Sequence, residues 1–285
     1  MIKAGVVGAT GYAGAELVRI LSDHPHVVLT VLTSRQFAGI RFDRVYPAMS
    51  GIVTLTCEEI STDRLGDSCD VIFTALPHSI PMKIVPELIA QNKKIVDLSA
   101  DFRFNDAALY EAFYQPHASG ELCRDAIYGL CEVYREKIKT AGLIGNPGCY
   151  PTSALLPLVP LVKQDMLKTE TIVIDAKSGV SGAGRKAATA TLLCEAGENF
   201  KAYAVPGHRH LPEIRQGLES AAGGPVGLTF VPHLTPMIRG IHATLYARLR
   251  DPDRPRERSG RRARRNAFAG GVEGERLPSR LYEKA

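Results

Sequence analysis

The chain has 285 residues, 45% hydrophobic and 23% charged, the balance of a soluble globular protein long enough for two domains. No run approaches the roughly 20 apolar residues of a membrane span, which speaks against a membrane partner. The formal net charge of +5 is uneven: residues 250–285 hold 11 Lys/Arg against 6 Asp/Glu, and the 249 residues before them hold 24 of each. The body is neutral, so the basic character that would favour nucleic acid belongs entirely to the tail.

Met1-Ile2-Lys3 leads straight into a strand pattern, with no signal peptide expected. The six cysteines (Cys57, Cys69, Cys123, Cys131, Cys149 and Cys194) show no CxxC spacing and no regular framework, which points to reduced thiols in a cytoplasm. Residues 2–7 read as an apolar strand, followed by a Gly8-Ala9-Thr10-Gly11-Tyr12-Ala13-Gly14 loop, a helix through 16–21 and a second strand at 27–32. This is a βαβ unit with a glycine fingerprint, GxxGxxG rather than the stricter GxGxxG. Gly8 permits the tight turn, Gly11 lets backbone N–H groups approach an anion, and Gly14 lets the helix pack closely. A pyrophosphate at the helix N-terminus is the physical expectation.

Where a dinucleotide site for NAD carries Asp or Glu, this chain has Thr33-Ser34-Arg35. Ser34 and Arg35 suit a 2′-phosphate, which predicts NADP(H). Further strands are expected at 70–75 and 95–99, each followed by a polar loop: Leu76-Pro77-His78-Ser79 and Ala100-Asp101-Phe102-Arg103. Ligands of open α/β sheets lie outside the carboxyl ends of the strands, which gathers the glycine loop, Pro77, His78, Arg103 and Cys149 on one rim. The expected cofactor set is Gly8, Thr10, Gly11, Tyr12, Gly14, Ser34, Arg35 and Pro77. The implied fold class is α/β, a Rossmann-type parallel-sheet domain followed by an α+β catalytic domain.

Asn146-Pro147-Gly148-Cys149-Tyr150-Pro151-Thr152 follows a short apolar run and precedes a helical pattern. Most free cysteines are small buried hydrophobes. Here the sulfur is expected on a strand-to-helix turn just ahead of a helix N-terminus, where partial positive charge favours thiolate. Pro157 and Pro160 should kink or shorten that helix. A strand at 170–175 leads to the glycine-rich stretch 177–185. Its Gly179 and Gly184 have P-loop spacing, but Arg185-Lys186 stands where Lys-Ser/Thr is required, which rejects an ATP site. Arg185 still suits a carboxylate or phosphate. The pair His208 and His210 has no third metal ligand nearby, and a histidine is the natural partner of a catalytic cysteine. Two last strands, at 227–234 and 239–246, are expected to form an antiparallel sheet.

These motifs resemble one family, N-acetyl-γ-glutamyl-phosphate reductase, an aspartate-semialdehyde-dehydrogenase-like group of arginine biosynthesis. The matching pieces are residues 8–17 (GATGYAGAEL), 97–103 (DLSADFR), 146–152 (NPGCYPT), 178–185 (SGVSGAGR), 208–214 (HRHLPEI) and 231–240 (VPHLTPMIRG). The resemblance implies Cys149 as nucleophile, His210 as acid/base with His208 close by, and Arg103, Arg185, His208 and Glu213 around the substrate. It implies NADPH-dependent reduction of an acyl phosphate through a cysteine thioester. An aspartyl or aminoadipyl phosphate is the alternative substrate, and an inactive truncated member the alternative state. A cysteine hydrolase and a nucleic-acid-binding protein are the readings from other classes.

The domains are then 1–148 for NADP, 149–249 for catalysis, and a basic tail at 250–285. A strand-rich second domain commonly pairs subunits, so a homo-oligomer is expected. The tail departs from the resemblance: eight arginines within 250–265 and no apolar period predict an unordered stretch, as from a shifted reading frame and early stop.

Overall fold

The computed structural model of the chain describes residues 1–251. The expectations for the tail therefore lie outside the described residues, except at its first two positions. There Arg250 N–H still donates to Met166 O at 2.9 Å and its guanidinium meets Asp165 at 2.9 Å.

Seven strands form the first sheet: β1 Ile2–Val7, β2 Val27–Thr33, β3 Cys57–Glu58, β4 Val71–Thr74, β5 Lys94–Asp97, β6 Ile127–Tyr128 and β7 Leu143–Gly145. Four form the second: β8 Leu167–Ser178, β9 Lys201–Ala202, β10 Leu228–Leu234 and β11 Ile241–Leu249. The helices are α1 Tyr12–Ser22, α2 Phe42–Val45, α3 Thr62–Ser68, α4 Pro81–Ala90, α5 Ala107–Glu111, α6 Cys131–Thr140, α7 Cys149–Lys163, α8 Leu193–Ala196 and α9 Leu211–Ala222.

The first sheet runs β3-β2-β1-β4-β5-β7-β6 with every pairing parallel. It is the Rossmann-type arrangement that the apolar runs predicted. Ala4, Val6 and Val7 of β1 are buried because helices cover both faces. The chain leaves β1 toward β2 on one side and later returns to β4 on the other. This places the glycine loop at the point where strand order reverses, the natural crevice of such a sheet.

The second sheet, ordered β11-β8-β10-β9, is mixed rather than antiparallel. β11 is antiparallel to β8, but β10 runs parallel to it, from Leu228 opposite Ile172 to Leu234 opposite Ser178. The reason is α9, which carries the chain back across the sheet between β8 and β10, as a parallel neighbour requires. Ile172, Ile174 and Ala176 of β8 face a core shared with Leu155, Leu158 and Val159 of α7 and Ile214 and Leu218 of α9.

That core also corrects the expectation that the prolines would shorten the helix. α7 is assigned as one helix of 15 residues with Pro157 and Pro160 inside it. Each proline deletes one helical hydrogen bond, but buried side chains along the helix from Ala154 to Val162 hold it on the second sheet. The helix also begins earlier than expected, with Cys149 as its first residue and Gly148 as its N-cap. α7 packs on α9, and Gly217 of α9 has no Cβ where one would lie 2.7 Å from Leu155 Cδ1.

Candidate active site

The site is built where α7 and α9 both begin. β7 ends at Gly145, three residues turn the chain, and Cys149 opens α7. Glu213, in the first turn of α9, is completely buried and points back at this turn. Its Oε1 accepts the Gly148 N–H at 2.8 Å and the Tyr128 O–H at 2.8 Å, and its Oε2 pairs with Arg103 Nη1 at 3.3 Å. Arg103, only 6% exposed, spends its other edges on backbone, with Nε donating to Asn146 O and Nη2 to Leu98 O, each at 2.7 Å. Arg103 and Glu213 thus form a buried ion pair that grips the turn carrying Cys149.

Gly148 stands at the centre. A Cβ there would lie 2.8 Å from His210 Nε2, 3.0 Å from Arg103 Nη1 and 3.0 Å from Glu213 Oε2. Nε2 of His210 therefore faces the cysteine's turn. Burial, then the charges of Arg103 and Arg209, push His210 down to about 2, so the ring is neutral. Its Nδ1 is buried without a hydrogen-bond partner among the described residues. His208 stands beside it with ring centroids 5.0 Å apart and accepts the His210 N–H on Nδ1 at 3.0 Å. Acceptance there leaves the His208 ring proton on Nε2.

Cys149 is open enough for a substrate to reach it. Burial nevertheless pushes its thiol up, against partial relief from the Tyr150 N–H, the Arg103 charge and its own N–H. The helix terminus acts in the direction the sequence suggested, but it is outweighed.

The glycine loop is formed at the rim. Gly8 takes φ +83° and a Cβ on it would lie 2.5 Å from Ala75 O; a Cβ on Gly14 would run into Gly8 O. Gly11 differs: its φ of −72° is ordinary and its nearest neighbour would be Gly8 O at 3.6 Å. The protein's own packing does not require glycine there, which leaves room for a ligand to lie close against the backbone. α1 has no side-chain cap and no acidic residue in its first turn, which leaves its N–H groups for an anion. Ser34 is buried, with its Oγ 2.7 Å from Thr10 Oγ1, while Arg35 and Pro77 are exposed. These residues fit a dinucleotide.

Arg185 is held at the glycine loop. Its Nη1 donates to Thr10 O at 2.8 Å and to Tyr46 Oη at 3.1 Å, and its guanidinium covers the rings of Phe37 and Tyr46. It bridges from the second sheet's loop to the glycine loop. A cavity of about 710 Å³ opens there, lined by Tyr12, Arg185, Met237 and Arg239 among others.

Sequence reasoning missed Tyr128, which sits on a two-residue strand with no signal of its own. It also left Asp101 without a role. That carboxylate accepts Ser79 N–H, Met82 N–H and Tyr110 O–H, pinning the loop that bears Pro77 and His78.

The chain is 55% identical over 255 residues to an N-acetyl-gamma-glutamyl-phosphate reductase of Ectopseudomonas mendocina, covering 88% of this chain and 73% of that one. It is 53% identical over 250 residues to that of Nitrosococcus oceani, covering 87% and 73%. It belongs to the N-acetyl-gamma-glutamyl-phosphate reductase family. Two broader family models also match, a semialdehyde dehydrogenase NAD binding domain at residues 3–141 and a semialdehyde dehydrogenase dimerisation domain at 149–270. Solved structures agree on the fold. Aspartate semialdehyde dehydrogenase with NADP from Candida albicans superposes with TM-score 0.67 at 16% identity, covering 92% of this chain and 75% of that one. The Vibrio cholerae enzyme II complexed with ASA gives 0.65 at 15% identity, covering 88% and 75%. This reductase family therefore shares its two-sheet architecture with the aspartate enzymes.

Proposed function

We propose that this chain reduces N-acetyl-γ-glutamyl phosphate to N-acetyl-L-glutamate 5-semialdehyde and phosphate, at the expense of NADPH, through a thioester on Cys149. The observation that carries the reading is the opening turn of α7, where Cys149 follows Gly148 and Gly148 meets His210 Nε2, Arg103 and Glu213 together.

The cofactor is held by the loop from Gly8 through Thr10, Gly11, Tyr12 and Gly14, by Ser34 and Arg35 at the end of β2, and by Pro77. The chemistry it supplies when bound is hydride donation. Arg185, which donates to Thr10 O in the glycine loop, is assigned to the cofactor side rather than to the substrate. Neutral His210 takes the Cys149 proton as the sulfur attacks the γ-carbonyl carbon, and returns it to the departing phosphate oxygen. A proton must be moved because the thiol's burial keeps it protonated at rest. After reduction the tetrahedral oxyanion reforms the carbonyl, the carbon–sulfur bond breaks, and the thiolate recovers the proton that the net reaction consumes. Arg103 and Glu213 hold the turn in register while this happens.

Residues 1–148 carry the cofactor and 149–249 the chemistry. The second sheet offers the surface for a homo-oligomer, in line with the dimerisation domain matched there. Among the described residues no helix is long and apolar enough to cross a membrane, and the six unpaired cysteines suit a cytoplasm.

The test runs the reaction backward. N-acetylglutamate semialdehyde should reduce NADP only when inorganic phosphate is present, and Cys149→Ser should lower the rate at least about a hundredfold while NADPH still binds, since a hydroxyl is the far weaker nucleophile near pH 7. Phosphate-independent turnover, or a serine variant near the unmodified rate, would refute the thioester route.

A further inference from the structure

Arg103 is consumed by Glu213 and two carbonyls, so the site needs another cation for an anionic substrate. Arg209 lies in the chain between the two histidines and is exposed. Its guanidinium lies 5.5 Å over the Tyr114 ring and, among the described residues, makes no ion pair. The Tyr114 hydroxyl is buried with no hydrogen-bond partner among the described residues. Burial pushes it up to about 12, so it keeps its proton and can donate. His78 stacks edge-on against the same ring at 5.1 Å. Its Nδ1 accepts the Ala100 N–H at 2.9 Å, which leaves the proton on Nε2. Burial and the charges of Arg209 and Arg103 lower His78 to about 4, so it too is a neutral donor.

Three donor groups thus gather around one ring, and among the described residues none of them has an acceptor. Arg209 immediately precedes His210 in the chain, and it shares the Tyr114 ring with His78, which puts the cluster beside that histidine. We propose that Arg209, Tyr114 Oη and His78 Nε2 form an oxyanion subsite that anchors an anionic group of the substrate next to His210. The assignment rests on the acyl-phosphate reading above. That substrate carries two such groups, a carboxylate and a phosphate, and both present oxygens to the same donors.

Alkylation of Cys149 by iodoacetamide, followed on its own peptide in the full chain, reads the subsite without turnover. Inorganic phosphate and N-acetyl-L-glutamate are the probes. At least one should slow alkylation, and its half-protecting concentration should rise about tenfold or more in Arg209→Gln, the scale of one charge-assisted hydrogen bond. Tyr114→Phe, which keeps the ring, should raise it less, and Arg209→Lys should recover part. Unchanged protection in both Arg209→Gln and Tyr114→Phe, or no protection of the unmodified chain by either probe, overturns the subsite. Reverse kinetics separates the sources: a higher KM for phosphate in Arg209→Gln assigns the leaving phosphate, and a higher KM for semialdehyde assigns the carboxylate. If the unmodified chain does not turn over but protection behaves as stated, the acyl-phosphate reading fails while the subsite stands.

Discussion

At Cys149 partial removal from water holds the thiol proton on, while the Tyr150 N–H and the Arg103 charge pull the other way. His210, held neutral, cannot supply the positive charge of a resting ion pair. The two facts together fix how the free enzyme should respond to pH. A raised thiol loses its proton only above its ordinary range, so the rate of Cys149 alkylation by iodoacetamide should still be climbing past about pH 9. A plateau near pH 7 would instead indicate a preformed thiolate and contradict the burial argument. Arginines at this scale also separate by what they touch. Arg103 is locked to Glu213 and backbone, Arg185 to Thr10 and Tyr46, and neither role is visible in the identity of the residue.

Among the elements, the two glycine-bearing turns make opposite demands, and one substitution in each distinguishes them. Gly148→Ala drives a Cβ into His210, Arg103 and Glu213, so it should cost about 1–3 kcal/mol in urea unfolding and abolish turnover. Gly11→Ala meets only ordinary contact at 3.6 Å, so stability should stay within about 0.5 kcal/mol while NADPH binding weakens. Equal stability losses in the two variants would show that Gly11 serves the fold and not a ligand. Much of this scale was legible beforehand. β1, β2, β4, β5 and β7 announced themselves because strands buried on both faces must be continuously apolar. The two-residue strands β3, β6 and β9 carry too few side chains to leave any period. α7 defied its prolines because the packing that holds it comes from β8 and α9, tens of residues away. The parallel pairing of β10 depended likewise on α9, whose motif read as chemistry rather than as a crossover. The site followed the same division: Cys149 and His210 were marked by their neighbours in the chain, whereas Tyr128, Tyr114 and Asp101 act only through tertiary contact.

Over the whole molecule, buried titratable groups make stability depend on acid. His78 and His208 are lowered from 6.5 to about 4 and His210 to about 2, so below pH 6.5 the unfolded chain binds protons that the folded chain refuses. Their stabilising contribution is present above that pH and drains away as pH falls toward 4. Asp97 opposes them: burial raises it from 3.8 to about 6, so between those values the folded chain binds the proton first. Three groups outweigh one. The urea midpoint should be lower at pH 5 than at pH 7.5, and Asp97→Asn should widen the gap; a midpoint that rises on acidification would contradict the histidine burials.

The contact between Gly217 and Leu155 reaches further than its own few atoms. Cys149 and His210 belong to separate helical starts; Glu213 ties the two together at Gly148, and behind that tie the seam between α7 and α9 sets how far apart the helices lie. That seam works as a gauge block. Thickening it by one methyl at position 217 would spread the two helices and lengthen the proton's path at the far end, with every reacting atom unchanged. On the thioester reading, turnover would then be adjustable from the apolar interior, by side chains that never meet the substrate.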